Sequence, residues 1–161
     1  MSDAPRASSN FIWPPTIYLI AAALALMLSW LAPLPLLADA PAALRWSVRA
    51  AGAAMFLAGL GLALAAKGYF DRAGTPVKPT EPTTTLVTAG VYGYTRNPMY
   101  LSMTVALIGL SLIALSAWFL LVAPFAVFAV FKLAIEREER YLGEKFGAAY
   151  ADYRARVRRW L

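Results

Sequence analysis

Residues 90–140 read GVYGYTRNPMYLSMTVALIGLSLIALSAWFLLVAPFAVFAVFKLAIEREER, and the architecture can be predicted outward from this segment. It opens with a polar segment around Arg96, continues through two apolar runs at 98–115 and 117–136, and ends in a second polar cluster at 136–140. Almost no residues separate the two apolar runs, so the sequence predicts an antiparallel helical hairpin. Because a hairpin returns the chain to the face it left, we expect both polar segments at the same face.

The composition predicts a membrane protein. Of the 161 residues, 60% are hydrophobic, whereas roughly half of the residues in a soluble domain are apolar. Further apolar stretches near 15–37 and 42–66 raise the number of candidate spans to four, each close to the roughly 20 residues that cross a bilayer. Continuous apolar runs favour helices over a transmembrane barrel. The predicted fold class is therefore all-α: a polytopic membrane helical bundle of about four transmembrane helices, with a C-terminal helical hairpin and an amphipathic cytoplasmic helix.

The chain is expected to form one integral membrane domain, 1–161, that starts with a disordered polar segment. It divides into two scaffold spans (1–66), a cytoplasmic cofactor loop (67–97), the helical hairpin (98–136) and an amphipathic C-terminal helix (137–161). The second span is rich in small residues that predict close helix packing: Gly52, Ala54, Ala58, Gly59, Gly61 and Ala63. Tyr18 and Trp30 are placed like interfacial belt residues at the ends of the first span. The Pro/Thr-rich loop at 74–85 suits either a linker or a lid.

Charge predicts the orientation. The net charge is +6, and basic residues crowd after the second and fourth spans. By the positive-inside rule, both termini and the polar segments face the cytoplasm, and we expect a prokaryotic inner membrane. No basic stripe falls on a soluble domain large enough for a nucleic-acid groove, so the expected partners are the lipid bilayer and a lipophilic small-molecule or lipid substrate.

The chain contains neither cysteine nor histidine. Thiolate and imidazole are the usual ligands of zinc and haem, so no metal site is expected. Any proton transfer would fall to Glu, Asp, Lys, Tyr or water.

The first polar segment has two interpretations. Gly90 allows a sharp turn or a close approach to a ligand, Asn97 can cap the third span, and Pro98 suits its first turn. A helix cap with an interfacial Arg and Tyr belt explains the same residues without a ligand.

The second polar cluster is harder to explain by anchoring. Salt bridges with neighbours such as Lys132 would account for Glu136, Glu138 and Glu139, but exposed pairs contribute only about 0–1 kcal/mol. The sharper hypothesis is a cationic ligand, because carboxylates in a partly desolvated pocket attract an ammonium or sulfonium strongly.

The chain resembles the isoprenylcysteine carboxyl methyltransferase and phospholipid methyltransferase family of membrane enzymes. The resemblance covers the C-terminal half and rests on residues 90–92, 96–100 and 138–142, and on Phe146-Gly147, Tyr150, Tyr153 and Arg156-Val157. It implies S-adenosyl-L-methionine as cofactor, held at the cytoplasmic surface beside an opening to lipid. The cofactor-binding residues that it implies are Gly90, Tyr92, Arg96, Asn97, Pro98, Tyr100, Glu138 and Glu139, and the catalytic ones are Arg96, Glu139 and Tyr100. Asn97 stands where many members have His, and Asn cannot titrate.

The implied reaction is in-line methyl transfer to a lipophilic acceptor, in which the protein mainly aligns the reactants. A prenylcysteine-type carboxylate arrives ionised, whereas an amine or a thiol needs a base, for which Glu138, Glu139 and Tyr100 are the nearby groups. The alternatives are a phosphatidylethanolamine N-methyltransferase, an NADPH-dependent membrane reductase of the sterol-reductase type, and a non-catalytic lipid-binding membrane subunit. The sequence leaves open the acceptor, the oligomeric state and the base.

Overall fold

The computed structural model describes residues 13–76 and 83–161, and this part of the chain is helical without strands, as the sequence predicts. The helices are α1 (Pro14–Leu31), α2 (Ala42–Arg72), α3 (Pro98–Ala114), α4 (Trp118–Val130) and α5 (Glu136–Arg156). A 3₁₀ turn at Gly90–Gly93 precedes α3, and a π-helical turn at Phe131–Ile135 joins α4 to α5. The polar N-terminal segment and the middle of the Pro/Thr-rich loop lie outside the described residues, so the predictions of disorder for the first and of a linker or a lid for the second stay predictions.

The helices have the length and composition of an integral membrane protein. α1, α2 and the continuous helix Trp118–Arg156 are each long and apolar enough to cross a bilayer, while α3 is a shorter apolar helix. The four apolar stretches of the sequence therefore all become helices. α2 continues past the predicted end of its span as far as Arg72, which carries its last turn into the polar region.

α3 occupies the middle of the bundle, with α2 on one side and α1 and α4 on the other. Small residues permit the close approach of α2. A Cβ atom added to Gly59 would lie 2.7 Å from the Ser102 carbonyl oxygen, and one added to Gly52 would lie 2.8 Å from the Gly109 carbonyl oxygen. The small residues of α2 thus serve helix packing, although Gly61 has open space beside it.

The predicted hairpin is present. α3 ends at Ala114, α4 begins at Trp118, and Leu115 between them adopts the left-handed conformation with φ of 51°. The α1–α2 connection braces this tip, because the Leu36 amide donates to the Leu115 carbonyl at 2.7 Å and the Ala117 amide to Leu34 at 2.9 Å. Both polar segments consequently lie at the opposite end of the hairpin.

Tyr18 does not have the interfacial position that the sequence predicts. It is buried, with its hydroxyl donating to the Tyr100 carbonyl at 3.2 Å and lying 2.8 Å from the Thr104 hydroxyl. The phenol needs a partner once α1 packs against α3, and sequence position alone does not reveal that partner. α1 is thereby tied to the first turns of α3.

The chain after α4 bends twice. The π-helical turn changes the angular register of the residues that follow it, Glu138 and Glu139 among them. Gly147 then kinks α5 with φ of 49° and ψ of −120°, so the apolar stripe of this region does not lie on one straight helix. Beyond α5 the chain is extended at Val157, and we call residues 157–161 the C-terminal strap.

Candidate active site

The two polar segments meet in an ion cluster. Arg96 Nη1 lies 3.0 Å from Glu139 Oε1, which joins the entrance of α3 to the start of α5. Both side chains are largely buried, with exposed fractions of 10% and 13%. Arg96 Nη1 also donates to the Tyr150 hydroxyl at 3.3 Å.

A second arginine completes the cluster from the C-terminal strap. Arg159 donates to both oxygens of Glu139, from Nε to Oε1 at 2.9 Å and from Nη2 to Oε2 at 2.8 Å. Its guanidinium also lies 5.0 Å from the centre of the Phe131 ring. Sequence reasoning missed Arg159, because a run of basic residues near a membrane surface suggests attraction to lipid and carries no sign of which arginine turns inward.

The strap is attached to the segment before α3 through its backbone. The Arg96 amide donates to the Arg158 carbonyl, and the Thr95 hydroxyl and the Asn97 side-chain amide both donate to the Arg159 carbonyl, each at 3.0 Å. Asn97 occupies the N-cap position of α3 but makes no side-chain capping bond. The capping interpretation of Asn97 is therefore wrong, since its amide fixes the strap instead. Pro98 is fully buried in the first turn of α3.

Tyr100 and Glu138 form a second contact between the two segments. The Tyr100 hydroxyl donates to Glu138 Oε2 at 3.0 Å. Burial raises the pKa of the Glu138 carboxyl above its usual range, the Tyr100 hydrogen bond opposes that shift, and the nearby charge of Glu139 adds to it. Glu138 is thus held by one donor in an environment that disfavours its charge.

Glu139 has the opposite electrostatic environment. Desolvation alone would raise its pKa, but the hydrogen bond from Arg159 and the charges of Arg96, Arg159 and Arg154 outweigh burial and lower the pKa. Glu139 is therefore an anion whose charge is balanced by two arginines. Glu139 attracts a cationic ligand less strongly than its sequence position suggests, because the cluster of Arg96, Arg159 and Glu139 carries a net positive charge.

A buried donor of the cluster lacks an acceptor: among the described residues, Arg96 Nε has no hydrogen-bond partner. A buried donor of this kind costs free energy unless it is satisfied, and a charged guanidinium favours an anionic acceptor such as a carboxylate.

Gly90 and Tyr92 belong to the 3₁₀ turn that precedes α3. Gly90 has φ of 61° and lies so close to Tyr69 that an added Cβ would overlap the phenol ring. Tyr92 is buried and packs edge-on against Phe70 at 5.4 Å between ring centres. Its carbonyl accepts a hydrogen bond from the Tyr153 hydroxyl at 2.7 Å. Burial raises the pKa of Tyr153 to about 12, so it remains a donor at neutral pH.

Glu136 lies outside the cluster. Its carboxylate pairs with Lys132 at 2.6 Å, one turn earlier, and both side chains are well exposed. The local salt-bridge interpretation therefore holds for Glu136, whereas Glu138 and Glu139 contact α3, its entrance or the strap.

A cleft of about 610 Å³ opens beside the cluster at the α5 kink. Its lining residues are mostly small, and Tyr150 connects it to Arg96; the lining is Gly143, Gly147, Tyr150, Ala151, Arg154 and Ala155. All six lining residues belong to α5, so the cleft is an open groove along one helix. Among the described residues no group of His, Cys, Asp or Glu is arranged to hold a metal ion.

The sequence that forms this site matches a known family of proteins. The family model described as phospholipid methyltransferase matches residues 48–149, which begin inside α2 and reach into α5. A protein from Saccharomyces cerevisiae named Protein-S-isoprenylcysteine O-methyltransferase is 38% identical over 72 residues, covering 45% of this chain and 30% of the relative. A protein of the same name from Dictyostelium discoideum is 35% identical over 72 residues with the same coverage.

These curated relatives are matched over only 30% of their own length, and no solved structure matches the chain. The family match is broader. It takes in α3 and α4 entirely, with Arg96 and Glu139, and extends over more than half of the sequence. The chain therefore belongs to the phospholipid methyltransferase family.

Proposed function

We propose that this protein is an S-adenosyl-L-methionine-dependent methyltransferase that acts on a lipophilic acceptor entering from the bilayer, with a prenylcysteine-type carboxylate as the acceptor class. The observation that carries the proposal is the buried Arg96 with an unused Nε donor, inside a cluster that has two arginines and one charged glutamate. Family membership and the names of the two relatives support methyl transfer.

The residues present fit the cofactor. The Arg96 Nε donor, which has no acceptor, suits the carboxylate of its amino-acid part, and the open groove on α5 is connected to Arg96 through Tyr150. Glu138, with its single Tyr100 donor, retains oxygen acceptors for hydroxyl or amino groups. The residues that would hold the cofactor are those the sequence indicates: Gly90, Tyr92, Arg96, Asn97, Pro98, Tyr100, Glu138 and Glu139. Asn97 and Pro98 would act by fixing the backbone around Arg96.

When bound, S-adenosyl-L-methionine would supply an activated methyl group: an acceptor oxygen would form the new carbon–oxygen bond as the carbon–sulfur bond breaks, and S-adenosylhomocysteine would be the leaving group. The protein's part is alignment, which can lower a barrier by as much as about 7–11 kcal/mol. Arg96 orients a carboxylate, Glu139 fixes Arg96, and Tyr100 with Glu138 limits the water that reaches the reacting atoms. A carboxylate acceptor needs no base at neutral pH, which agrees with the absence of histidine.

An amine acceptor, as in phosphatidylethanolamine, is the alternative within the same family. It would arrive protonated, and it would have to lose a proton before its nitrogen could attack the methyl group. A reductase is disfavoured by the family match.

The proposal includes a location and a division of the chain. Integral membrane residence follows from the helices, and the positive-inside rule supports a cytoplasmic site with both termini on that side of a prokaryotic inner membrane. Residues 1–66 would be scaffold, 67–97 the cofactor loop, 98–136 the hairpin and 137–161 the amphipathic C-terminal region.

The test measures binding and turnover on detergent-purified protein. Titration calorimetry should show binding of S-adenosyl-L-methionine but not NADPH, and Glu138→Gln and Glu139→Gln should each weaken it about tenfold without unfolding the protein. Transfer of labelled methyl should occur to N-acetyl-S-farnesylcysteine and not to its carboxamide or to phosphatidylethanolamine. Unchanged cofactor affinity in both variants would show that Glu138 and Glu139 do not bind the cofactor. Methyl transfer to phosphatidylethanolamine alone would show that the amine is the acceptor.

A further inference from the structure

The C-terminal strap holds Arg159 in a fixed place. Three hydrogen bonds to the Arg158 and Arg159 carbonyls attach the strap to residues 95–97, and Trp160 packs against the buried core. Because the backbone on which Arg159 is mounted is restrained, its long side chain loses less conformational entropy when it binds a partner.

Arg159 and Arg96 share one carboxylate unequally. Arg159 uses its Nε–Nη2 edge to take both oxygens of Glu139, the bidentate geometry that gives arginine–carboxylate pairs their strength. Arg96 reaches only Oε1, and it does so through Nη1. The same Nη1 makes the contact with Tyr150.

The Nε side of Arg96 is consequently not engaged by Glu139. Among the described residues Nε has no acceptor, although Arg96 is nine-tenths buried. Nε and Nη2 form the edge of a guanidinium that binds a carboxylate with two parallel hydrogen bonds. If Glu139 were released from Arg159, it could turn to that edge and occupy it.

We propose that Arg159 is a positioning residue: by taking both oxygens of Glu139, it keeps the Nε edge of Arg96 open for the carboxylate group of a bound ligand. The identity of that ligand rests on the proposed function. The carboxylate belongs either to the amino-acid part of the methyl donor or to the acceptor. Arg159 itself touches neither.

The first experiment compares ligands with and without the carboxylate. S-adenosylhomocysteine is paired with its carboxamide, and N-acetyl-S-farnesylcysteine with its carboxamide, and each is titrated into the Arg159→Gln variant of the whole chain in detergent. We expect the affinity for the carboxylate ligand of one pair to fall about tenfold, while its carboxylate-free counterpart binds as it does to the wild type. The affected pair identifies the source of the carboxylate. Arg159→Lys, which keeps the charge but not the bidentate geometry, should restore part of the affinity.

The matched control is Arg156→Gln, which removes the same charge from the end of α5. Arg156 is exposed, and its side-chain hydrogen bond is to the Asp152 carbonyl within the helix. It should leave all four affinities unchanged. Equal weakening of carboxylate and carboxylate-free ligands by Arg159→Gln, or equal effects of Arg159→Gln and Arg156→Gln, would overturn the proposal.

A second experiment does not depend on the proposed function. The coupling between Arg96 and Glu139 is measured from the thermal stabilities of Arg96→Gln, Glu139→Gln and the double variant, once in the wild-type background and once in the Arg159→Gln background. Competition for Glu139 requires the coupling to be larger in the Arg159→Gln background, because Arg96 then takes both oxygens. A coupling that is unchanged or smaller there rejects the positioning role, even if the protein binds neither adenosyl compound. Absence of binding with a larger coupling would reject the proposed function alone.

Discussion

At the scale of single residues, the two adjacent glutamates differ in their surroundings. Glu139 lies between Arg96 and Arg159, which lower its pKa, while burial beside Tyr100 raises the pKa of Glu138. Their neighbour Glu136 makes an exposed pair with Lys132. Three carboxylates within four positions therefore have three different roles.

Glu139→Gln should destabilise the protein by up to about 3 kcal/mol, because it leaves two arginines without their anion. We place the cost at the low end for buried pairs since the Arg159 side chain is 37% exposed. Glu136→Gln, the matched control, should cost no more than about 1 kcal/mol. Thermal unfolding of both variants measures the two losses of stability. Equal losses would contradict the burial of Glu139 in an ion cluster.

The stabilisation that Glu139 provides should depend on pH, and the Glu139→Gln variant reveals this dependence. The folded-state pKa of Glu139 lies below its usual 4.5, so its stabilisation is complete above that pH and is lost as the pH falls through the lowered value. The gap in melting temperature between wild type and Glu139→Gln should therefore be widest near neutral pH and close in acid. A gap that grows in acid would have the wrong sign.

At the scale of helices, glycines determine how closely α2 and α3 approach and where α5 bends. Gly59 lies against the backbone of α3, and Gly147 adopts a conformation that other residues rarely take. In a bilayer, where the hydrophobic effect does not drive helices together, this close packing supplies much of the association.

Gly59→Ala should destabilise the bundle by about 1–3 kcal/mol, because the added methyl would lie 2.7 Å from the Ser102 carbonyl and the backbone must move. Gly61→Ala, two residues later, has open space and should be neutral or slightly stabilising. Unfolding of the two variants in the same detergent gives the comparison. Equal stabilities would mean that α2 and α3 are further apart than described.

Gly147→Ala should cost about 1–3 kcal/mol through backbone strain alone, since no atom lies within 4 Å of its added Cβ. Gly143→Ala, one turn earlier in α5, makes an ordinary contact at 3.8 Å with the Tyr150 ring and has no unusual φ. The melting temperature of Gly147→Ala should be well below that of Gly143→Ala. If the two are alike, the kink does not require glycine.

At the scale of the whole molecule, the bundle has two unlike ends. One end holds the hairpin tip, braced by the α1–α2 connection, and the other holds the arginine–glutamate cluster and the strap. The even number of apolar helices places the beginning of α1 and the ion cluster at the same end. The excess of basic residues at the cluster end supports the proposal that this end faces the cytoplasm.

The natural absence of cysteine allows a direct test of this orientation. Asp39→Cys is expected to react with a membrane-impermeant maleimide from outside intact spheroplasts, whereas Lys67→Cys and Glu144→Cys should react only after permeabilisation. All three native residues are exposed, so accessibility within the fold does not limit the labelling. The reverse pattern would invert the proposed topology. Labelling of all three from one side would mean that α2 does not cross the membrane, and labelling of Lys67→Cys and Glu144→Cys from opposite sides would contradict the hairpin.

The sequence by itself determined the helical membrane architecture, the hairpin and the meeting of the two polar segments. Apolar runs of this length must form helices in hydrocarbon, and adjacent runs without a loop must return to the same face. These constraints act along the chain and need no knowledge of distant contacts.

Only the tertiary structure decided which side chains pair. Tyr18 packs inward against Tyr100 and Thr104, and Asn97 binds the strap instead of capping α3. Of the arginines in the C-terminal tail, Arg159 is the one that binds Glu139 through both carboxylate oxygens. Each choice depends on a partner distant in the sequence, where several donors compete for few buried acceptors. The competition is settled by desolvation and geometry within the packed bundle, and local sequence patterns do not encode it.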